Sequence, residues 1–456
     1  MDVNRRHLIG AGVAGAAAGT FAEPAQARRA PSPISALGRD ATHFGVRPNS
    51  PDEQTAALQH ALDAAAAAQS PLLLPPGRYT CGPLKLSAGA HLIGVRGATR
   101  LTFNGGPSLL DAEGADGITL DGITLDGGGI ALPRRRGLVH CLSAGDIRIT
   151  DCEITRSGGS GIWLDGVSGD IRSTRLTRIA TTAIVSFNAR GLLIAQNTIS
   201  DTSDNGIEIL RSAVGDDGTL VIDNRIENIK AGPGGSGQYG NAINAYRAGN
   251  VIVRGNRIRN CDYSGVRGNT ASNIQITGNS ISNVREVALY SEFAFEGAII
   301  ANNTVDVAAV GVSVCNFNEG GRIAVVQGNI LRNMLPKRPI GTAPDDDAGI
   351  GIYVEADSVV SGNVIENAPS FGIIAGWGKY LRDVSITGNV IRNAFAGIGI
   401  SVADSAGTAL VDGNLVSGAP RGAVVGLDHA RPVTADLTAS GAQRFAQVAL
   451  GTNIVR

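Results

Sequence analysis

Nine short segments of this chain carry one pattern, an apolar-x-apolar strand, a turn ending in Asn, and a second apolar position two residues on. "LLIAQNTIS" supplies Asn197, "LVIDNRIEN" Asn224, "VIVRGNRIRN" Asn256, "IQITGNSISN" Asn279 and "IIANNTVD" Asn303. "AVVQGNILRN" supplies Asn329, "VVSGNVIEN" Asn363, "VSITGNVIRN" Asn389 and "ALVDGNLVSG" Asn414. Two earlier copies, "IRITDCEIT" and "IRSTRLTRI", put Cys152 and Thr174 in that place. Neighbouring copies lie 23, 24 or 26 residues apart at Asn256, Asn279, Asn303 and Asn329. A period in the twenties built from short alternating runs excludes helical repeats and specifies a β-solenoid.

Eight or nine residues after most of these Asn sites, another strand opens with Gly, as at Gly161, Gly206, Gly311 and Gly397. Each coil therefore reads strand, tight turn, short strand, turn, strand, one rung of an all-β, right-handed, single-stranded parallel β-helix. Rungs stack about 4.8 Å apart, and alternate aliphatic side chains fill one continuous interior. The Gly-Asn pair sits where the chain turns sharply, because Gly and Asn tolerate the left-handed backbone region. An inward Asn amide both donates and accepts, so the nine copies are expected to bond along the axis as a structural ladder.

The net charge of −1 provides no basic field for nucleic acid. At the N-terminus, "NRRHLIGAGVAGAAAGTF" sets Arg5-Arg6 before a mildly apolar run, and "AQA" at 25–27 offers small side chains for cleavage. This reads as a twin-arginine signal over 1–27, with the translocase as a transient partner and a periplasmic or secreted destination after cleavage near Ala27. The run is too short and Gly-rich to span a membrane. Cys81, Cys141, Cys152, Cys261 and Cys315 form no CxxC pair and read as buried free thiols.

A linker over 28–39 leads to "THFGVRPNSPDEQTAALQHALDAAAAA", which reads as a helix opened by Ser50-Pro51-Asp52. Such a helix would cover the open end of the first coil, a 40–105 cap preceding coils over 106–430. The segment from His429 departs from the period and reads as a C-terminal cap over 431–456. "HFGV" (43–46), "LPPGRY" (74–79), "LIGVRG" (92–97) and "GITLDG" (122–127) occur in this order. That order resembles the pectate-lyase-like, or pectin lyase fold, superfamily. With the signal in front, the chain also resembles a family of twin-arginine-translocated bacterial β-helix repeat proteins that has no settled activity. The resemblance covers nearly the whole length and implies fold and export, not chemistry.

No set of catalytic residues transfers from that superfamily. A "DD" occurs at Asp216-Asp217, but the GHG and RIK elements of polygalacturonases are absent, as are the DPHD-type and WxDH-type motifs of epimerases and lyases. Pectate-lyase-like enzymes bind sugar chains on the outer face of one sheet. If the Gly-initiated strands form that sheet, alternation points Trp163, Asp165, Glu208, Asn244, Tyr246, Arg267, Asn269, Tyr290, Glu292 and Tyr353 outward, with Glu355 two residues further. In a chain with 4% aromatics, this gathering suits sugar rings. Glu208, Glu292, Asp165 and Arg267 are the candidate catalytic groups; Trp163, Asn244, Tyr246, Asn269, Tyr290 and Tyr353 are the candidate binding groups. His140 aligns with inward Leu164 and reads as a core residue. Two loops, 230–240 and 335–349, lengthen their coils and are placed to flank the face. Asp345, Asp346 and Asp347 are a Ca²⁺ candidate, with a solvated acidic run as the alternative; no other cofactor is implied. The expected function is action on a polysaccharide by lyase, hydrolase or epimerase chemistry, and the alternative is a non-catalytic glycan-binding or envelope module.

Overall fold

The computed structural model describes residues 37–235, 237–342 and 346–456. Arg5-Arg6, Ala27, residues 28–36 of the linker and Asp345 lie outside the described residues. Three parallel sheets wrap one β-solenoid. In a representative coil, Ile274–Thr277 belongs to the first sheet, Ser280–Val284 to the second and Val287–Glu292 to the third. Each pairs in parallel with its counterpart one coil on, Glu296–Ala301, Thr304–Asp306 and Val310–Val314. Ile276, Ile281 and Leu289 point inward and stack on Ile300, Val305 and Val312, all fully buried. Val364–Ala375 and Val390–Ser401 run through the second and third sheets without a break.

The asparagine ladder lies at the corner between the first two sheets, and all nine members are at most 1% exposed. Asn279 Oδ1 accepts from the backbone N–H of Asn256 at 2.9 Å and from its Nδ2 at 3.0 Å. Asn279 Nδ2 in turn donates to Asn303 Oδ1 at 3.0 Å and to the Val253 carbonyl at 3.1 Å. Thr174 continues the series in the early coils: its N–H donates to Asn197 Oδ1, and its hydroxyl accepts from the Cys152 N–H. The left-handed residue is the one before each ladder amide, Gly255 (φ 69°) or Gly278 (φ 65°), and Asp223 (φ 56°) where no Gly is present. The place that opens each third-sheet strand, Gly in most coils and Ala at 183, 242, 288 and 423, has a different cause. A Cβ on Gly206 would lie 2.5 Å from the Ala242 carbonyl oxygen one coil on, so at this rung a methyl would force the two strands to shift.

The helix spans Thr55–Ala67 and buries Leu58, Ala61, Leu62 and Ala65. It starts later than Ser50-Pro51-Asp52, because Asp52 is engaged in the preceding turn, accepting from Arg47 at 3.0 Å and from the Ser50 hydroxyl at 3.1 Å. Parallel pairing also begins before residue 106: Gly77–Cys81 already pairs with Thr99–Phe103. The C-terminal segment is more than a cap. Arg431–Asp436 folds back antiparallel on Val424–Asp428, and then Val448–Leu450 and Ile454–Val455 add a further rung to the first and second sheets. Asn453 extends the ladder, its Oδ1 accepting from Asn414 Nδ2 at 2.9 Å. All five cysteines are free; four are buried and Cys315 is half-buried. Among the described residues, no helix is long and apolar enough to cross a membrane.

Candidate functional site

Strand register puts Trp163, Val185, Glu208, Asn244, Arg267, Tyr290, Ser313 and Tyr353 in one column on the outer face of the third sheet. A second column, two residues along, runs Asp165, Phe187, Leu210, Tyr246, Asn269 and Glu292. His140 is the Cα partner of Trp163, not of Leu164. It therefore belongs to the outward column, while Cys141 takes the inward place. It is nonetheless only 7% exposed, with Nδ1 lacking a hydrogen-bond partner. Burial, then the charge of Arg136, lowers its pKa.

The groups in these columns differ sharply in what they can reach. Arg267 is already engaged through Nε, Nη1 and its face. Its Nε donates to Glu292 at 2.7 Å and its Nη1 to the Gly237 carbonyl at 2.6 Å, and its guanidinium lies 5.1 Å from the centre of the Tyr290 ring. Asn269 also donates to Glu292, at 2.9 Å, and Glu292 is 1% exposed. Glu286, 3% exposed, accepts from the Ser264 hydroxyl at 2.7 Å and lies 3.7 Å from both Arg267 and Arg338. Burial raises its pKa against the lowering by Arg267, Ser264 and Arg338. This network makes Arg267 and Glu292 positioning groups for the face, because the Nε and Nη1 sides of the guanidinium are already committed to protein acceptors.

The two long loops meet above this network. The Tyr263 hydroxyl donates to the carbonyls of Gly235, at 2.5 Å, and Ile340, at 3.1 Å, and so ties loop 230–240 to loop 335–349. Arg338 Nε donates to the Asp347 carbonyl at 2.8 Å, which folds the second loop back on itself. Asp346 lies 4.0 Å from Arg338. A carboxylate so placed is already opposed by a cation, and among the described residues no group of three His, Cys, Asp or Glu is arranged to hold a metal. The Ca²⁺ reading of Asp345–Asp347 therefore has no support in the described part of that loop.

Beyond Tyr290 the face opens into a cleft of about 410 Å³. Tyr290, Ser313 and Tyr353 lie on its floor strands, and Arg338, Asp346 and Asp347 come from the second loop. The rest of the wall includes Cys315, Asn316, Glu355 and a tight hairpin at Trp377–Tyr380, closed by mutual backbone bonds of 3.1 and 3.0 Å. Glu355, 6% exposed, accepts from the Tyr353 hydroxyl at 2.7 Å on one oxygen and from the Phe317 N–H at 2.6 Å on the other. Burial raises its pKa, and these two bonds oppose the rise. Further along the column, Ile374 and Val425 are fully buried in a second apolar cluster with Phe371 and Leu427, which closes the groove.

Toward the other end, Glu208 is half-buried and accepts from Asn205 Nδ2 at 2.6 Å. Burial pushes its pKa up to about 7, with the Asp204 charge adding and the Asn205 and Thr182 bonds opposing. Asp204 is itself pushed up to about 6 by burial. Asn244 sits half-buried between Glu208 and Arg267, and the Arg247 guanidinium covers the Tyr246 ring at 4.9 Å. Asp165 belongs elsewhere, in an open depression of about 640 Å³ with Arg190, Arg211 and Asp217. The structure thus gathers Tyr290 and Tyr353 in the cleft and leaves Glu208, Trp163 and Asp165 rungs away. Alternation could not reveal Trp377 and Tyr380, which lie outside the strands, or Arg338. Glu355 was visible only as two residues beyond Tyr353.

A family model described as a right handed beta helix region matches residues 96–215 and 212–382. Among solved structures, the A-module of the Azotobacter vinelandii mannuronan C-5 epimerase AlgE6 is 15% identical, with TM-score 0.53, covering 85% of this chain and 99% of that one. The N-terminal fragment of the bacteriophage Phi29 gene product 12 is 16% identical, with TM-score 0.51, covering 86% of this chain and 69% of that one. The catalytic unit of a GH87 α-1,3-glucanase from Streptomyces thermodiastaticus strain HF3-3 is 16% identical, with TM-score 0.50, covering 91% of this chain and 68% of that one. At these identities the likeness is one of fold. A search of curated proteins finds no match.

Proposed function

The chain belongs to the right-handed β-helix family, and on that premise we propose that it takes a polysaccharide along the outer face of its third sheet and acts on it in the cleft beside Tyr353. The observation that carries this reading is that Tyr290, Tyr353, Trp377 and Tyr380 line one cleft with Glu355. Aromatic faces pack on the apolar faces of sugar rings. A carboxyl with a raised pKa retains its proton further toward neutral pH, the requirement for a general acid at a glycosidic oxygen or a ring carbon. Two of the similar structures are named for enzymes of mannuronan and α-1,3-glucan; that likeness concerns fold, and the reading rests on the cleft.

The test is a screen of acidic and neutral polysaccharides, following unsaturated uronate absorbance and reducing ends. Glu355→Gln removes turnover and keeps binding, whereas Glu208→Gln keeps both. Turnover that survives Glu355→Gln and fails in Glu208→Gln would move the chemistry to the Glu208–Asp204 pair. A glycan-binding module without catalysis is the second reading, favoured by the enclosure of Arg267 and Glu292 in the buried network. Binding without turnover on every polymer would establish it. We propose export by the twin-arginine route, which carries folded chains and suits a fold dominated by slow non-local pairing. Replacing Arg5-Arg6 by Lys-Lys then leaves precursor in the cytoplasm; undiminished mature protein outside it would refute that route.

A further inference from the structure

Several arginines of the second sheet are matched with acids on the neighbouring rung. Three residues beyond the ladder, Arg259 meets Glu227, Arg332 meets Asp306 and Arg392 meets Glu366 across neighbouring rungs. The column one residue beyond the ladder departs from that pattern. It runs Glu153, Arg175, Thr198, Arg225, Arg257 and then Ser280, so only Arg175 faces an acid, and Arg225 and Arg257 are direct Cα partners. Like charges one rung apart, about 4.8 Å, destabilise a sheet unless something neutralises them. Arg254 faces out on the first-sheet side of the same corner, three residues before Arg257. All four arginines are exposed, and among the described residues none lies within 4.0 Å of a carboxylate oxygen. Asp223 is exposed at this corner, and Asp151 and Glu153, both half-buried, line a depression with Arg175 at its start. The net charge of −1 shows that the strip does not reflect a basic chain. It is local as well: further along, the same column becomes Thr304, Ile330, Val364 and Val390.

We propose that Arg175, Arg225, Arg254 and Arg257 form a docking strip for a linear polyanion, a carboxylate-bearing polysaccharide laid along the solenoid axis. The strip lies at the corner of the first and second sheets, away from the third-sheet groove, and does not depend on the chemistry assigned there. The guanidiniums follow the axis instead of spreading over a plane, which matches an extended chain better than a bilayer. Charges spaced by the rung repeat meet a chain with one carboxylate per sugar, and each guanidinium fork can hold a carboxylate by two bonds.

The experiment titrates the full chain with polygalacturonate, with neutral dextran and with phosphatidylserine vesicles. The comparison protein combines Arg175→Gln, Arg225→Gln, Arg254→Gln and Arg257→Gln. The unaltered chain binds polygalacturonate, and its affinity falls as salt rises from about 50 to about 200 mM, where screening shortens the reach of exposed charges. The combined variant loses about tenfold or more at low salt and most of the salt dependence, while its thermal midpoint stays level or rises because like-charge repulsion is relieved. An Arg332→Gln, Arg392→Gln control, which removes paired arginines, binds polygalacturonate like the unaltered chain. Equal binding by the combined variant would overturn the proposal. So would binding of vesicles without polygalacturonate, or loss of polygalacturonate binding in Tyr353→Ala, which would place the polyanion in the groove.

Discussion

Replacing Asn279 with Leu tests the ladder at its centre. The Asn279 amide accepts two bonds from Asn256, one from the backbone N–H and one from Nδ2, and donates to Asn303 Oδ1 and to the carbonyls of Val253 and Thr277. Asn256 Nδ2 keeps its bonds to the Val221 and Arg254 carbonyls, and Asn303 Oδ1 keeps the Asn279 N–H. The group left without this partner is the Asn256 N–H, at a residue 1% exposed. An orphaned buried donor costs about 1–3 kcal/mol, and a branched side chain in a slot shaped for a planar amide adds about 1 kcal/mol or more. The expected loss is therefore about 2–4 kcal/mol. The control is Asn283→Gly on the exposed outer corner, where Asn283 Nδ2 donates to Asn260 Oδ1 at 2.8 Å and φ is 53°. Gly accepts that backbone without strain, so the change should stay within about 0.5 kcal/mol. Urea melts measure both, with hydrogen exchange at the Asn256 N–H as a local readout. A loss below about 0.5 kcal/mol for Asn279→Leu, or equal losses for the two variants, would refute the account of the ladder.

Glu208 gives a pH test: its folded pKa of about 7 lies above the ordinary value, so its contribution is full below the unfolded pKa and is lost as pH rises through about 7. Glu208→Gln should remove that part of the decline in melting midpoint between about pH 4.5 and 7.5, and an unchanged slope would show that the carboxyl titrates normally. Because all five thiols are free, a reducing agent should leave the thermal midpoint where it is; a fall would reveal a disulfide. Tyr263→Phe removes the hydroxyl shared by the two loops and should raise proteolysis within 230–240 and 335–349, with the global midpoint lowered by less than about 2 kcal/mol equivalent. Unchanged cleavage in both loops would mean that they are held by other contacts.

The coil and its ladder were determined by sequence alone, because every rung repeats the same local requirements at the same spacing. A buried corner needs an amide that donates and accepts, and the residue before it must enter the left-handed region. The third strand starts with a Gly or Ala, the small residue that the close approach of the next coil allows. The predicted outward column from Trp163 to Tyr353 follows from the same period, since alternation within a strand is itself local. His140 shows how narrow that margin is: a shift of one residue turned an outward side chain into an expected inward one. Asn453 shows the opposite limit, a ladder residue hidden by an irregular stretch before it. What only the tertiary structure decided is which outward groups face solvent. Loop 230–240 brings the Gly237 carbonyl onto Arg267, and loop 335–349 brings Arg338 beside Glu286. Trp377 and Tyr380 reach the cleft from a hairpin that has no place in the repeat. These contacts join residues dozens of positions apart, through irregular loops without a shared spacing, so no periodic reading of the chain contains them.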